Sequence, residues 1–139
     1  MRNVKQIENV QGKVVLLRVD FNLPINNGVV GDDFRIQKAL PTIKFLKEKG
    51  AKIILITHLG KGGETLAPVA KALNKFIHAE FVGEVLGPKV EEAISNMKPS
   101  DVILLENLRN EKGEKEASTD FALKLSKLGE IYVNEAFPV

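Results

Sequence analysis

Short apolar runs, rich in Val and Ile, alternate along this chain with longer segments whose apolar residues recur at helical spacing. The runs lie at 14–20, 52–58, 80–85, 101–107 and 130–136. A run that is apolar almost throughout is typical of a strand buried on both faces, and such strands occur in parallel sheets covered by helices. The alternation therefore predicts an α/β fold in which helices connect parallel strands.

Four segments with an apolar stripe are predicted to be the connecting helices. The first begins near Asp33, after a loop through 26–28, and ends at Gly50. The second begins at Thr65 and the fourth at Ser118, both residue types that cap helices, and the third opens at Pro88. The predicted inner faces carry Ile36, Ala39, Leu40, Ile43 and Leu46; Leu66, Val69, Ala70, Leu73 and Ile77; Val90, Ala93, Ile94 and Met97; and Phe121, Ala122 and Leu125.

Composition excludes several classes of protein. The length of 139 residues fits one domain and is short for a complete two-domain enzyme. A net charge of +2 gives no global attraction to nucleic acid or to an anionic membrane, so any anion site must be local. The absence of Cys excludes disulfides, thiolate metal sites and cysteine nucleophiles, and favours a reducing cytoplasm. Neither a signal peptide nor a membrane span is expected, so we predict a cytoplasmic protein.

Polar side chains follow four of the five predicted strands. Ligands of open parallel sheets bind beyond the carboxyl ends of the strands, so these residues are expected to share one edge, called the rim below. Arg35, near the start of the first helix, is predicted to reach the same edge. The residues after the strands are Asp20 and Asn22; His58 and Lys61; Glu106, Asn107 and Arg109; and Asn134 and Glu135.

The cationic rim residues predict a small, multiply charged ligand. Arg35, His58, Lys61 and Arg109 form a local basic cluster in a nearly neutral protein. A guanidinium pairs well with phosphate or carboxylate, and the side chain of Asp20 is suited to accept a hydrogen bond from a ligand hydroxyl. The sequence thus predicts an anion-binding rim.

Each rim residue also has a structural interpretation that the sequence leaves open. Asp20 could cap a loop, and Asn22 could shape the turn before the proline that follows. Arg35 could pair on the surface with the neighbouring Asp32 or Asp33. Glu106 is interpreted as a partner of an arginine rather than a ligand contact. The glycines around Lys61 could serve only as slack in a turn, and the charged stretch 111–116 is interpreted as a solvated loop.

Standard nucleotide and metal signatures are missing. The segment 83–89 reads GEVLGPK, which lacks the spacing of a P-loop, and its proline removes an N–H that a phosphate cradle would use. No G-x-G-x-x-G follows the first strand. His58 and His78 lie far apart in the sequence without Cys support, so no metal site is expected.

Seven motifs in one order resemble a known family. They are RVDFNLP at 18–24, DDFRIQKALPTIKFL at 32–46, THLGK at 57–61, LAPVAKAL at 66–73, GPKVEEAI at 87–94, DVILLENLR at 101–109 and IYVNEAF at 131–137. The chain resembles the N-terminal domain of the phosphoglycerate kinase family. The resemblance implies a doubly wound, Rossmann-like sheet in three αβα layers, one incomplete lobe of a two-lobe kinase. That lobe holds 3-phosphoglycerate or 1,3-bisphosphoglycerate.

The resemblance also implies which residues bind the substrate. Arg35 is the residue that the family uses to stabilise the transferring phosphoryl group. Lys61 and Gly62 stand where the family has Arg and Pro, so the charge at Lys61 is expected to be similar but its hydrogen-bond geometry weaker. Asn110 stands where the family has an aromatic residue after the arginine. The implied substrate-binding set is Asp20, Phe21, Asn22, Arg35, His58, Leu59, Gly60, Lys61 and Arg109.

The family's second lobe binds Mg-ADP or Mg-ATP. We interpret residues 1–139 as the first lobe without its last segment, because the family continues after the NEAF motif into a His-Arg-x-His segment. This chain is therefore expected to hold no cofactor and to be inactive alone, although its family is an enzyme of glycolysis. The full enzyme is expected to be a monomer without nucleic-acid or membrane partners, whereas the 139-residue chain is expected to self-associate through its last strand.

Two other functions compete with kinase chemistry. The same rim could serve a non-catalytic module that holds a phosphorylated metabolite without transferring phosphate. Asp20 could alternatively be a phosphorylated aspartate of a receiver-like or phosphatase-like domain. The DFN motif disfavours the second alternative, because such phosphatases need another Asp two residues on, where this chain has Asn22.

Overall fold

The structure is a computed structural model that describes residues 9–60, 63–108 and 119–135, with the backbone alone at 119–122. All five predicted strands and all four predicted helices are found, most with shorter bounds. In chain order the elements are β1 (Val14–Arg18), β2 (Ile25–Asn26), β3 (Val29–Val30), α1 (Phe34–Glu48), β4 (Lys52–Ile56), α2 (Ala67–Leu73), β5 (Glu80–Phe81), α3 (Pro88–Ser95), β6 (Val102–Leu104), α4 (Thr119–Ser126) and β7 (Ile131–Asn134). In these ranges no helix combines the length and apolarity needed to cross a membrane.

Five strands form one parallel sheet in the order β5-β6-β4-β1-β7. From β1 the chain passes to β4 on one side, and it returns later to the other side of β1 as β7. This reversal makes the sheet doubly wound, and the carboxyl end of β1 lies where the direction of winding changes. Ligand sites of such sheets occur at that place.

Residues alternate between the two faces of the sheet. Leu17 and Leu55 pack in one apolar cluster with α1 and α2, whereas Leu16 and Ile54 pack in a second cluster with α3 and Leu125 of α4. Each fully buried Leu or Ile stabilises the fold by roughly 1.5–3 kcal/mol relative to an exposed one. The predicted three αβα layers are confirmed.

Helix α1 follows its predicted stripe closely. The five predicted inner-face residues are all buried, and the helix ends just before Gly50, whose φ of +80° lies in the left-handed region. A Cβ at Gly50 would also collide with the side chain of Gln11. Glycine is therefore favoured there by the backbone turn, whereas the exposed Gln11 side chain can move aside.

Two predicted boundaries need correction. Leu66, not Thr65, occupies the N-cap of α2, although the Thr65 hydroxyl accepts from the Ala67 N–H at 3.2 Å while it donates to the carboxylate of Glu106 at 2.7 Å. The third strand spans only Glu80–Phe81 rather than 80–85, although the Val82 N–H still donates to the Leu104 carbonyl at 2.8 Å and the Glu84 carbonyl accepts from the Glu106 N–H at 3.1 Å. The predicted cap Ser118 lies outside the described residues.

The loop predicted at 26–28 is instead the turn of a small hairpin. Strands β2 and β3 pair antiparallel, with Asn26 opposite Val29. Asn27 and Gly28 both have positive φ, 54° and 75°, which is the geometry that favours an Asn-Gly dipeptide in a two-residue hairpin turn. This hairpin lies between the end of β1 and the start of α1.

Within the described residues, β7 pairs with β1 and lies at an edge of the sheet. We expect the 139-residue chain to self-associate through this edge, since exposed strand edges template pairing with another chain. Tyr132, half exposed on β7, is the position to test. Tyr132→Lys should lower the sedimentation coefficient toward that of a monomer, whereas Leu123→Lys, at an exposed position of α4, should not. A strictly monomeric wild-type chain would contradict the expectation.

Candidate functional site

Arg35 and the segment after β1 meet at the rim. Arg35 Nη1 donates to Asp20 Oδ1 at 2.9 Å and to the backbone carbonyl of Asn22 at 3.0 Å. The side chains of this ion pair are 49% and 43% exposed, so the pair adds at most about 1 kcal/mol to stability. Its main effect is to orient the guanidinium. Among the described contacts Arg35 pairs with Asp20 rather than with Asp32 or Asp33.

Asn22 joins the segment after β1 to the segment after β4. Its Oδ1 accepts from the backbone N–H of Gly60 at 3.2 Å, and its own N–H donates to Asp20 Oδ1 at 3.3 Å. Gly60 has a φ of +61°, and a Cβ there would collide with the carboxylate of Glu64. The turn predicted at the THLGK motif is therefore closed by a side chain from the segment after β1, and its positive φ favours glycine at this position.

Phe21 lies in the core rather than on the rim surface. Its side chain is fully buried, and its backbone N–H donates to the Thr57 hydroxyl at 3.0 Å. Thr57 is also fully buried and donates to the carbonyl of His58 at 3.4 Å. The Phe21 side chain therefore anchors the Asp20–Asn22 segment, and a ligand contact by this residue would have to use its backbone.

We expect Thr57→Val to lower the free energy of unfolding by about 1–3 kcal/mol, because the buried N–H of Phe21 loses its acceptor. Thr57→Ser, which keeps the hydroxyl, should lose less. Urea unfolding of both variants measures the difference. If valine were tolerated as well as serine, the hydroxyl would not be the important group.

His58 contacts a residue that the sequence did not single out. Arg18, the last residue of β1, places Nη2 3.3 Å from His58 Nδ1. The sequence did carry a signal for Arg18: it is a charged residue in an otherwise apolar run. A strand residue between two helical layers is seldom charged unless it has a specific partner.

The buried side chain of Asn107 supports the loop after β4. It is fully buried, its Oδ1 accepts from Leu59 N–H at 2.8 Å, and its Nδ2 donates to the carbonyls of Leu59 at 2.8 Å and Glu64 at 3.0 Å. Both backbone groups of Leu59 are thus bonded to one side chain. Asn107 was predicted as a rim residue, and the structure gives it a supporting position beneath the rim.

Glu106 organises the start of α2. Its Oε1 accepts from the backbone N–H groups of Leu66 and Asn107, at 2.7 and 2.8 Å, and its Oε2 accepts from the Thr65 hydroxyl. A carboxylate beside the first N–H groups of a helix is favourable. The interpretation of Glu106 as a supporting residue agrees with these contacts, but its partners among the described residues are Thr65, Leu66 and Asn107 rather than an arginine.

Of the remaining predicted rim residues, two lie at the end of β7 and two lie outside the described residues. Glu135 turns toward α1, where its Oε1 accepts from the Thr42 hydroxyl at 2.7 Å. Asn134 is the last residue of β7. Lys61 lies outside the described residues, as does Arg109. In the part of the chain that the structure describes, no three His, Asp or Glu side chains gather as metal ligands.

The described site therefore consists of Asp20, Asn22, Arg35, His58 and Gly60. Three segments supply these residues: the ends of β1 and β4 and the first turn of α1. A half-exposed guanidinium bonded to a carboxylate, with an imidazole on the neighbouring segment after β4, suits a ligand that carries both anionic groups and a hydroxyl. This chemistry agrees with the sequence interpretation of the rim.

Comparisons with known proteins give the family. The family model described as phosphoglycerate kinase matches residues 4–139. The phosphoglycerate kinase of Dictyoglomus turgidum is 51% identical over 137 residues, which cover 94% of this chain and 35% of that relative. That of Clostridium beijerinckii is 46% identical over 97% of this chain and 36% of the relative. The chain thus spans about a third of the length of these relatives.

Solved structures agree with this assignment. The crystal structure of the Pyrococcus horikoshii phosphoglycerate kinase superposes with a TM-score of 0.84 at 34% identity, covering 93% of this chain and 35% of that one. The Coxiella burnetii phosphoglycerate kinase gives a TM-score of 0.80 at 33% identity, covering 93% of this chain and 34% of that one. In sequence and in fold, the chain belongs to the phosphoglycerate kinase family.

Proposed function

We propose that this chain is the N-terminal, substrate-binding part of a glycolytic phosphoglycerate kinase. It supplies the 3-phosphoglycerate side of phosphoryl transfer between 1,3-bisphosphoglycerate and ADP. The observation that carries the proposal is the position of Arg35, which is held at 2.9 Å from Asp20 at the carboxyl end of β1. That position is where doubly wound sheets bind their ligands.

Arg35 is the proposed catalytic residue. Phosphoryl transfer proceeds through a loose transition state in which charge spreads over the equatorial oxygens, so cations held in position contribute more than covalent chemistry. The bonds to Asp20 and to the Asn22 carbonyl orient the guanidinium before the ligand arrives. Such orientation lowers the entropic cost of reaching the reactive geometry.

The other residues of the proposed site act as anchors. In this proposal the Asp20 carboxylate and the Asn22 amide contact the ligand hydroxyl, and His58 with the adjoining Leu59 and Gly60 contacts its anionic groups. Lys61 and Arg109 complete the proposed set, together with the backbone of Phe21. Substrate binding by each of these residues is part of the proposal.

In the proposed enzyme, the nucleotide is bound by the part that lies outside this chain. Mg-ADP and Mg-ATP are assigned in this proposal to the second lobe that the family implies. This chain's residues would bind and orient the phosphoryl-bearing metabolite. The proposed whole enzyme is a cytoplasmic monomer.

Titration of nitrogen-15-labelled chain with 3-phosphoglycerate tests the proposal. We expect saturable NMR shifts at Asp20, Asn22, Arg35 and the 58–61 segment. Arg35→Ala should weaken binding by roughly ten- to 150-fold, since a charge-assisted hydrogen bond is worth about 1.5–3 kcal/mol.

The matched control is Lys44→Ala, which removes one charge from an exposed position further along α1. It should leave the affinity unchanged. Shifts that survive Arg35→Ala, or that map to the 111–116 stretch, would contradict the proposed site. The same shifts with inorganic phosphate at equal affinity would favour a general anion-binding module.

A further inference from the structure

We propose that Arg18 is a positioning residue that sets the protonation of the His58 ring, so that Nε2 carries the only ring proton. The inference deepens the proposed function, on which its ligand-binding part rests. It starts from the contact of 3.3 Å between Arg18 Nη2 and His58 Nδ1.

The backbone of Arg18 is fixed on both sides, so its side chain can hold a neighbouring side chain in one orientation. It pairs with Ile56 of β4 on one side and with Asn134 of β7 on the other, so its backbone lies within the sheet. The Arg18 carbonyl also accepts from the N–H of Glu135 at 2.7 Å. A guanidinium that extends from a strand paired on both sides starts from a rigid base.

The chemistry of the contact assigns the roles of the two groups. A guanidinium has five N–H donors and no acceptor, so in this hydrogen bond Nδ1 of His58 must be the acceptor. An imidazole nitrogen accepts only when it carries no proton. The ring proton therefore lies on Nε2, because a neutral imidazole has one N–H and a doubly protonated ring would place an N–H against the guanidinium.

This arrangement changes the expected role of His58. The sequence interpretation counted His58 among the cations of the rim. The contact with Arg18 instead makes it a neutral donor. Because Nδ1 is bonded to Arg18, the orientation of the ring, and so the direction of its Nε2–H, is fixed. The positive charge at this position is supplied by Arg18. His58 would then donate one hydrogen bond to an anionic oxygen of the ligand.

Nitrogen-15 NMR of the imidazole rings tests the inference on the ligand-free chain. The protein has only two histidines, and His78→Gln assigns their resonances. We expect His58 Nδ1 at the unprotonated position and Nε2 at the protonated position. In Arg18→Met both nitrogens should shift toward the averaged values of exchanging tautomers, whereas Arg18→Lys, which keeps a donor, should stay closer to the wild type. His78 should not change in either variant.

A proton on Nδ1 in the wild-type chain would overturn the inference, as would unchanged His58 shifts in a folded Arg18→Met. The wild-type measurement stands even if that variant fails to fold. Adding 3-phosphoglycerate separates the two proposals. If the ring has the expected tautomer but does not respond to the ligand, the proposed function fails at this residue while the assignment to Arg18 holds.

Discussion

Replacing Phe21 by alanine is expected to lower the free energy of unfolding by about 3–5 kcal/mol, which is the usual cost of removing a buried phenyl ring. Phe21 is fully buried and belongs to the apolar cluster beneath α1 and α2. A domain of this size is stable by only about 5–15 kcal/mol, so the variant should lose a large fraction of its stability and unfold at a much lower temperature and urea concentration. Thermal and urea unfolding measure the loss.

Phe34→Ala is the matched control, because it removes the same ring from a position that is 63% exposed. Its expected effect lies within about 0.5 kcal/mol. The pair also separates stability from binding. If Phe21→Ala were as stable as the control but failed to bind 3-phosphoglycerate, Phe21 would act on the ligand rather than on the core.

Replacing Asn107 by alanine is expected to cost about 3 kcal/mol and to loosen the loop that carries His58. One buried N–H and two carbonyls lose their partner, and each buried group left without a hydrogen bond costs roughly 1–3 kcal/mol. Hydrogen exchange at Leu59 should accelerate more than exchange in the centre of the sheet. This measurement reports the local effect separately from global stability.

Asn107→Asp and Asn96→Ala serve as comparisons. The aspartate keeps the acceptor for Leu59 N–H but loses the two donated bonds, so its loop should exchange at an intermediate rate. Asn96 is exposed at the end of α3, and its alanine variant should behave as the wild type. Equal exchange at Leu59 in all variants would show that the loop does not depend on Asn107.

Much of the fold was predictable because it depends on local patterns. The apolar runs around Leu17 and Leu55 predicted buried parallel strands, and the five-residue stripe of α1 predicted its buried face residue by residue. Burial is decided by hydrophobicity, and the periods of strands and helices are fixed by backbone geometry, so both can be read along the chain. Element ends were less accurate: Leu66 occupies the N-cap of α2 rather than the predicted Thr65, whose hydroxyl bonds both the Ala67 N–H and the distant carboxylate of Glu106.

The hairpin of β2 and β3 was missed although its Asn27-Gly28 signal was present. The strands on either side have only two residues each, too few for an alternating pattern to be recognised. The candidate site was predictable to the extent that strand ends converge in a parallel sheet. That rule brought Asp20, Arg35 and His58 together before any distance was known.

The amino-acid sequence by itself determined the α/β class, the faces that are buried and the polar residues at the strand ends, because these depend on residue type and spacing. Only the tertiary structure decided which of those polar residues bond to neighbouring backbone or to each other. Asn107 and Glu106 hold neighbouring backbone, and Arg18 contacts His58 across two strands. These partners lie about 40 or more residues apart in the chain, and hydrogen bonds depend on distance and direction in space, which local sequence does not encode.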